Sequence, residues 1–147
     1  MPSTHTSLHY HLVFSTKDRL PLITADWRED LYGYMGGIVK NQGGVLLAIG
    51  GIEDHVHLLV GLTASHRLDY FMRELKASSS GWAHRGGKPN FAWQNGYGAF
   101  AVSATSLDKV KNYIHHQIEH HHGKNFQTEY VELLELSNVE YDEKYLW

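Results

Sequence analysis

Apolar and polar residues follow two different periods along the first half of the chain, and each period predicts a type of element. Alternation in "SLHYHLVFS" predicts a strand over about residues 7–15. Apolar residues three to four apart in "WREDLYGYMGGIVKNQ" predict a helix that is capped by Asp26 and ended by Gly43–Gly44. Two apolar runs, Val45–Gly50 and His55–Leu62, stand on either side of a short turn. Runs this close predict two strands that pair antiparallel.

The second half of the chain continues with a helix, a strand and a further helix. Ser65 is the predicted cap of a helix through "SHRLDYFMRELKASSSGWAHR", whose inward positions include Trp82. The segment "GYGAFAVS" predicts a short strand. The segment "SLDKVKNYIHHQIEHHHGK" predicts a helix with Ser106 as its cap and Gly123 at its end. Its buried stripe is predicted at Leu107, Val110, Ile114 and Ile118.

This order of elements predicts the fold class. Strand, helix, strand, strand, helix and strand is the split βαβ arrangement, a ferredoxin-like or RRM-like α+β fold. We therefore expect an antiparallel sheet with helices on one face, followed by a C-terminal helix that carries Tyr113. With 147 residues the chain has the length of a single domain, 1–147. Its predicted parts are a core over about 7–104, a tyrosine helix over about 106–122 and a C-terminal tail over about 126–147.

Composition excludes several kinds of chemistry. The chain contains no cysteine, which excludes disulfides, thiolate catalysis and cysteine-bound metals. No apolar run is long enough to cross a membrane, and the N-terminus lacks the pattern of a signal peptide. We therefore expect a soluble protein of the cytoplasm with no membrane partner. Any metal site must use histidine, carboxylate, amide or tyrosine groups.

Charge alone gives little support for a nucleic-acid partner. The formal net charge is −3 and the isoelectric point is about 6.4, whereas proteins that bind phosphate backbones usually carry a basic surface. The average hides an uneven distribution, because six acidic residues follow position 128. Between Arg67 and Lys124 there are eight basic and four acidic residues. The middle of the chain can therefore present a basic face to DNA, although a solvated surface explains the same charges.

Twelve histidines are the most unusual feature of the composition, and two of them lie on a predicted strand. In "GGIEDHVHLLVGL" successive side chains point to opposite faces, so His55 and His57 share one face while Val56 and Leu58 share the other. Two imidazoles placed in this way can bind one cation, and the strand keeps an apolar face behind them. Partly exposed strand histidines that bond to neighbouring groups would show the same pattern.

The histidine-rich helix can supply the other groups that such a site needs. A divalent cation takes more than two protein ligands. Tyr113 and Gln117 are four residues apart and therefore lie on one face of the predicted helix. The amide oxygen of Gln117 can complete an open metal site, and the hydroxyl of Tyr113 can attack an electrophile that the metal holds. Solvent-facing positions on the helix remain the alternative for both residues.

Six segments of the sequence resemble one family of DNA enzymes. In chain order they are "HYHLVFSTKDR", "GGIEDHVHLLV", "RELKASSSGW", "GYGAFAVS", "VKNYIHHQIEHH" and "FQTEYVELLELSNVEYDEKYLW". The resemblance is to the single-tyrosine HUH transposases of the smallest bacterial insertion sequences, called insertion sequence 200/605-like, and to their relatives associated with repetitive extragenic palindromes (REP). It covers nearly the whole chain, and the second segment carries the histidine–hydrophobic–histidine signature.

The resemblance implies a metal-dependent enzyme that acts on single-stranded DNA. His55, His57 and Gln117 would bind Mg²⁺ or Mn²⁺, and Tyr113 would attack a DNA phosphate. The products would be a 5′-phosphotyrosine link and a free 3′-hydroxyl, which can later reverse the reaction on a different 5′ end. The family recognises DNA hairpins near the element ends. It works as a homodimer, in which the histidine site can be completed by the tyrosine helix of the same subunit or of the other subunit.

DNA contacts are expected on the basic middle of the chain. The residues suited to phosphate contacts are Lys76, Ser78, Ser79, Arg85, Lys109 and Lys111. The aromatic residues suited to base stacking are Trp82, Trp93 and Tyr97. Of these, Trp82 is also a predicted core residue of its helix.

Two other functions fit parts of the sequence. The segment "HQIEH" places His116, Glu119 and His120 in the H-x-x-E-H pattern of a zinc peptidase. Those peptidases take a further acidic ligand from far downstream, and few residues follow His120 here. A non-catalytic or domesticated module that binds single-stranded nucleic acid would have the same fold, but it leaves the pairing of Tyr113 with Gln117 unexplained.

Overall fold

A computed structural model describes residues 3–121 and 123–146 of the chain. The strands are β1 (Leu8–Ser15), β2 (Val45–Ile52), β3 (His55–Leu62) and β4 (Gly98–Val102). The helices are α1 (Ala25–Asn41), α2 (Leu68–Arg85), α3 (Leu107–His115), α4 (Gln117–His120) and α5 (Phe126–Leu136), with 3₁₀ turns at Lys17–Arg19, Ala104–Ser106 and Glu143–Tyr145. Within the described residues, no helix has both the length and the apolar character needed to cross a membrane. The ends of the predicted domain, 1 and 147, and the predicted last residue of the tyrosine helix, 122, lie outside the described residues.

The four strands form one antiparallel sheet in the order β2-β3-β1-β4. β3 and β1 lie at the centre, with His57 opposite Val13. This order, and the alternation of strands and helices along the chain, confirm the predicted ferredoxin-like α+β fold. The helices α1 and α2 cover one face of the sheet, while α3, α4 and α5 cover the other.

The larger apolar core lies between the sheet and the helices α1 and α2. The strands contribute Leu12 and Leu58 among others, and α2 contributes Phe71 and Leu75. These side chains come from alternate strand positions and from helix positions three to four apart, which is the pattern that predicted the elements. Because the apolar residues of β3 fill this core, the histidines of β3 point to the opposite face of the sheet.

Several local predictions were wrong at the ends of elements. α1 begins directly after Thr24 and not after Asp26, and the Thr24 hydroxyl donates to the Asp26 carboxylate. α2 begins at Leu68 with Arg67 at the cap position, so the predicted cap, Ser65, lies in the turn before the helix. The hairpin turn between β2 and β3 is also shorter than predicted and consists of 53–54. Several polar residues near a helix start can occupy the cap position, so the pattern alone does not select one.

The predicted tyrosine helix is two helices. His116 has φ −109° and ψ 26°, outside the helical region, and separates α3 from α4. A continuous helix would have placed Ile118 on the same buried stripe as Ile114. Instead Ile118 is 56% exposed, and the break turns Gln117 toward the sheet, where it is buried. The predicted stripe is therefore correct only as far as Ile114.

Close contact between β2 and α3 at Gly50 sets the position of the tyrosine helix. A Cβ atom on Gly50 would lie 2.2 Å from the backbone oxygen of Ile114, which is closer than two such atoms can approach. We expect Gly50→Ala to push α3 away from the sheet and to lower the free energy of unfolding by about 1–3 kcal/mol. Denaturant titration of the variant and the wild type measures this change.

Gly33→Ala is the matched control for this prediction. Gly33 lies inside α1, and a Cβ atom there meets no described atom within 4 Å apart from the helix backbone. Alanine at such a position is expected to raise the free energy of unfolding by roughly 0.5–1 kcal/mol. An unchanged stability of Gly50→Ala would contradict the close contact between β2 and α3.

Candidate active site

The second face of the sheet carries a buried layer of histidines. His55 and His57 lie on the same face of β3, as strand alternation predicted, and His11 of β1 lies beside them. The ring centroids are 5.0 Å apart for His55 and His57 and also for His11 and His57. Both β3 histidines have no exposed surface. The alternative of partly exposed strand histidines is therefore wrong, and the imidazoles need polar partners inside the protein.

α3 and α4 bring the predicted tyrosine and amide to this layer. The Tyr113 ring lies edge-on to His57, with 5.7 Å between the ring centroids. The break at His116 turns Gln117 toward β3, where its Oε1 atom lies 3.0 Å from His55 Nε2. The four side chains named from the sequence, two imidazoles, a phenol and an amide, therefore meet within one chain.

Glu129 of α5 lies at the centre of this cluster and was not predicted from the sequence. Its Oε1 atom lies 3.0 Å from His57 Nε2, 3.3 Å from His55 Nε2 and 3.2 Å from His121 Nε2. The residue is 1% exposed. A carboxylate with so little access to water depends on these contacts for its stability.

The second oxygen of Glu129 faces the tyrosine. The Oε2 atom accepts hydrogen bonds from Gln117 Nε2 at 3.0 Å and from the Tyr113 hydroxyl. His120 Nε2 lies 3.4 Å from the same hydroxyl. One carboxylate thus connects the histidines of the sheet to the tyrosine of α3.

The sequence contains a signal that Glu129 is buried, although the charge distribution includes it only as one of six acidic residues after position 128. Phe126, Glu129, Tyr130 and Leu133 stand at helical spacing on one side of α5. An acidic residue on an apolar stripe must find a polar partner when the stripe is buried. That rule predicts a buried carboxylate, although it does not predict which partners it meets.

The three imidazoles around Glu129 each contact a second partner through Nδ1, the ring nitrogen that points away from Glu129. The pairs are His55 with Asp54 Oδ1 at 2.7 Å, His57 with His11 Nε2 at 2.7 Å, and His121 with the Lys124 carbonyl oxygen at 2.5 Å. This arrangement leaves the Nε2 atom of each ring directed at the centre of the cluster. Outer partners of this kind fix the orientation of histidines in metal sites.

The side-chain atoms at the centre of the cluster have the chemical character and the spacing of metal ligands. His55, His121 and Glu129 each offer one atom, and these atoms lie within 4.8 Å of one another. Imidazole nitrogen and carboxylate oxygen both bind divalent metals. This buried group could therefore hold a metal ion. It shares only His55 with the set predicted from the sequence, which was His55, His57 and Gln117.

Burial disfavours the charged form of all three sheet histidines, yet their pKa values differ. At His55 the effect of burial is outweighed by the carboxylates of Asp54 and Glu129, which raise its pKa to about 9. Burial dominates at His57 and lowers its pKa to about 4. Burial and the charge of His57 lower the pKa of His11 to about 3. Burial also disfavours ionisation of Glu129, but hydrogen bonds from the surrounding histidines hold its pKa well below its usual value.

Three residues predicted to contact DNA make hydrogen bonds within the protein, and of these Lys76 is only partly buried. Lys76 Nζ donates to the backbone oxygens of Gln94 at 2.6 Å and Gly96 at 2.8 Å. Ser79 is fully buried, and its hydroxyl accepts a hydrogen bond from Trp93 Nε1 at 2.9 Å. Trp93 is itself 8% exposed. The predictions of Ser79 as a phosphate contact and of Trp93 as a stacking platform are therefore wrong, because Ser79 has no exposed surface and Trp93 is almost fully buried.

The other predicted DNA contacts lie nearer to solvent. The Ser78 hydroxyl donates to Glu74 at 2.7 Å and is half-buried. Arg85, Lys109 and Lys111 are exposed. The two lysines lie on α3, the helix that carries the tyrosine, whereas Arg85 ends α2. Their contacts with DNA stay predictions.

The two remaining stacking candidates pack against the main core. Trp82 stacks on Tyr34 with 5.0 Å between ring centroids and an interplanar angle of 15°, which confirms its predicted core position. Tyr97 is also partly buried against this core. Both rings are partly exposed, and their stacking on DNA bases stays a prediction.

The zinc-peptidase pattern is not assembled as a site. His116 is exposed, and its Nδ1 atom bonds to the Asn112 carbonyl at 2.7 Å. Glu119 is exposed, while His120 turns to the Tyr113 hydroxyl. In the part of the chain that the structure describes, the group of possible metal ligands contains none of the three residues of that pattern.

Comparison with known proteins identifies the family and supports the fold. A family model described as "Transposase IS200 like" matches residues 4–117, and no curated protein matches the chain. The crystal structure of a candidate transposase from Deinococcus radiodurans R1 is similar, with 26% sequence identity and a TM-score of 0.65 over 80% of this chain and 95% of that chain. A REP-associated tyrosine transposase bound to a REP hairpin shares the fold, with 15% identity and a TM-score of 0.61 over 82% of this chain and 74% of that chain.

The matched region contains the histidine pair, the tyrosine and the amide, and it ends at Gln117. The helix α5, which carries Glu129, lies beyond it. Because the family model covers well over half of the sequence, this chain belongs to the family of IS200-like transposases.

Proposed function

We propose that this transposase cuts and rejoins single-stranded DNA through Tyr113, which becomes linked to the 5′ phosphate of the cut strand. In this proposal His55, His57 and Gln117 hold the divalent cation, Mg²⁺ or Mn²⁺, that assists the reaction. The substrate is single-stranded DNA with hairpins near the element ends, in keeping with the hairpin bound by the REP-associated transposase of similar fold.

One observation carries this proposal: a single buried carboxylate contacts both halves of the site. The Glu129 Oε1 atom faces the Nε2 atoms of His55 and His57. The Oε2 atom accepts a hydrogen bond from the Tyr113 hydroxyl. A phosphate resembles a carboxylate in its negative charge and in its strong acceptor oxygens. A DNA phosphate in this place would face the imidazoles on one side and the nucleophile on the other.

The proposed reaction exchanges one phosphate ester for another. The Tyr113 oxygen forms a bond to phosphorus, and the bond from phosphorus to the 3′ oxygen of the neighbouring nucleotide breaks. The tyrosine loses its proton, and the released 3′ oxygen takes up a proton to become a hydroxyl. A bound divalent cation supplies Lewis-acid stabilisation of the phosphate oxygens. Attack by a 3′-hydroxyl on the tyrosine link rejoins the strands without a nucleotide cofactor.

Tyr113 needs help to lose its proton. Burial and the negative charge of Glu129 raise the pKa of Tyr113 far above its usual value. His120 lies beside the hydroxyl, with its Nε2 atom at 3.4 Å and its ring centroid 5.0 Å from that of the tyrosine. Once a DNA phosphate replaces the Glu129 carboxylate, His120 is placed to accept the phenol proton.

Replacing His120 by alanine is therefore expected to slow cleavage by about 10²-fold, because general-base catalysis typically contributes 10²–10⁴-fold. The rate at which the covalent adduct forms measures the effect. His115→Ala is the control, since it removes an exposed histidine at the end of α3. That variant is expected to cleave at the wild-type rate. If His120→Ala also does so, the phenol proton leaves by another route.

α5 closes the site and has to move before DNA can enter. Phe126 stacks on the His55 ring with 4.4 Å between the ring centroids, and Glu129 fills the centre of the cluster. The helix is held by a small apolar cluster that includes Val13, Phe126 and Tyr130. Since this cluster is much smaller than the main core, α5 can separate from the sheet at a lower free-energy cost than α1 or α2.

The proposed partners are DNA and a second copy of the chain. Lys109 and Lys111 lie on the same helix as Tyr113 and are suited to contact backbone phosphates. We propose a homodimer, as the family resemblance implies. In the structure Tyr113 lies at the histidine site of its own chain, so an exchange of tyrosine helices between subunits would be a rearrangement. The enzyme would act on DNA in the bacterial cytoplasm.

Formation of a covalent adduct tests the proposed function. The protein is incubated with Mn²⁺ and labelled single-stranded hairpin DNA from its own genomic flanks, and the mixture is run on a denaturing gel. A labelled band at the size of the protein is expected. Hairpin binding without any adduct would support the non-catalytic module instead.

A further inference from the structure

We infer that His121 and Glu129 are additional ligands of the metal ion that His55, His57 and Gln117 are proposed to bind, and that the site therefore takes Mn²⁺ or Zn²⁺ in preference to Mg²⁺. This inference rests on the proposed function, because it assumes a metal at the histidine pair. Its residues extend that site beyond the region matched by the family model, which ends at Gln117.

The outer contacts determine which nitrogen carries the proton in two of the imidazoles. His55 Nδ1 faces the Asp54 carboxylate, and His121 Nδ1 faces the carbonyl oxygen of Lys124. Both partners can only accept a hydrogen bond, so each Nδ1 must carry the proton. In a neutral imidazole the other nitrogen, Nε2, then presents a lone pair to the centre of the cluster.

The inner contacts place these Nε2 atoms against two oxygen atoms that carry no proton. The Nε2 atoms of His55 and His121 each lie 3.0 Å from Gln117 Oε1. They lie 3.3 Å and 3.2 Å from Glu129 Oε1. The amide orientation is set by Gln117 Nε2, which donates to the other Glu129 oxygen at 3.0 Å. Protons on the two Nε2 atoms join them to the oxygens in the metal-free protein. A shared cation can take the place of these protons, because metal binding releases the protons of its ligands.

The separations between the two imidazole nitrogens and the two oxygens agree with a shared metal ion. Ligands bound at about 2.0–2.2 Å are separated by about 3.0–3.5 Å, from octahedral to tetrahedral geometry. The observed separations between the imidazole nitrogens and the two oxygens run from 3.0 to 3.3 Å. His57 Nε2 lies 3.0 Å from the same Glu129 oxygen, so it can join the set as a third imidazole.

The types of ligand indicate the class of metal. Mg²⁺ is bound in proteins through oxygen atoms and water. Imidazole suits zinc and other transition metals, and Mn²⁺ also accepts carboxylate and carbonyl oxygen. A set of up to three imidazoles with one carboxylate and one amide oxygen therefore favours Mn²⁺ or Zn²⁺. Catalytic metal sites leave one coordination position open for water or a substrate oxygen. In the DNA-free protein Glu129 would occupy that position, and a DNA phosphate would replace it.

Metal affinity of the full chain, measured by isothermal titration calorimetry, tests the inference without reference to activity. The metal-free protein is titrated with Mn²⁺, Zn²⁺ and Mg²⁺. Glu129→Gln removes the charge at constant size, and His121→Asn keeps a donor for the Lys124 carbonyl but removes the inner nitrogen. Each variant is expected to bind Mn²⁺ and Zn²⁺ at least about 10-fold more weakly than the wild type. His115→Ala removes an exposed histidine at the end of α3. It is the control and is expected to bind as the wild type does.

The outcomes separate the inference from the proposed function. Wild-type affinity in both Glu129→Gln and His121→Asn, together with lost binding in His57→Ala, would overturn the inference and leave the proposed site intact. Mg²⁺ binding as tight as Mn²⁺ binding would also overturn the assigned metal class. A wild-type protein that binds none of the three metals would overturn the metal part of the proposed function itself. Circular dichroism of the metal-free variants shows whether each one is folded.

Discussion

Tyr113→Phe is expected to abolish the covalent adduct with DNA. The change removes one oxygen atom, the proposed nucleophile, and keeps the ring that packs against His57 and His120. Loss of the nucleophile lowers kcat on the order of 10⁶-fold in a well-studied hydrolase, so no labelled band is expected on a denaturing gel. The lost hydrogen bond to Glu129 costs about 1 kcal/mol of stability. Hairpin binding and Mn²⁺ affinity are expected to stay at the wild-type level.

Tyr141→Phe is the matched control for the tyrosine prediction. The Tyr141 hydroxyl also donates to a glutamate, Glu135, at 3.1 Å, in a bond outside the histidine cluster. This variant loses the same atom and the same kind of bond, and it is expected to form the adduct at the wild-type rate. An adduct that persists in Tyr113→Phe would show that another residue attacks the phosphate, and mass spectrometry of the DNA-linked peptide would identify it.

His57→Ala is expected to abolish metal-dependent cleavage and to weaken Mn²⁺ binding by at least about 100-fold. Loss of a residue that merely orients a ligand already costs about 10–100-fold in affinity, and loss of the ligand itself costs more. The substitution also leaves the buried His11 without its partner, which lowers the free energy of unfolding by about 1–3 kcal/mol. Calorimetry with Mn²⁺ and the rate of adduct formation measure the first two effects, and denaturant titration measures the third.

His9→Ala is the control for the histidine prediction. His9 lies on β1, two residues before His11, and is half-buried at the end of the strand. Its loss is expected to change neither metal affinity nor cleavage. Wild-type Mn²⁺ affinity in His57→Ala would show that His57 is not a ligand. The group of His55, His121 and Glu129 would then account for the bound metal.

The fold and the histidine pair of the site could be predicted from the sequence because they depend on local geometry. Side chains alternate along a strand, so the common face of His55 and His57 followed directly from their spacing. The order of strands and helices left few possible topologies. Helix ends were harder to predict, as Thr24 and Ser65 show, because more than one polar residue can begin a helix.

The break at His116 could not be predicted from local patterns. The segment from Leu107 to His121 contains no proline or glycine and has the spacing of one continuous helix. The break accompanies the contact of Gln117 with His55, a residue 62 positions earlier in the chain. The same long-range contact explains why Ile118 is exposed although the helical pattern placed it in the core.

The sequence by itself determined the sheet, the paired histidines of β3, the tyrosine and amide of the following helices, and the family to which they point. Only the tertiary structure decided what joins them. Glu129 lies 72 residues after His57 in the chain, and its position depends on how Phe126 and Tyr130 pack α5 against the sheet. No local period carries that information, because the partners of a buried carboxylate are set by which distant surfaces meet when the apolar side of its helix is buried.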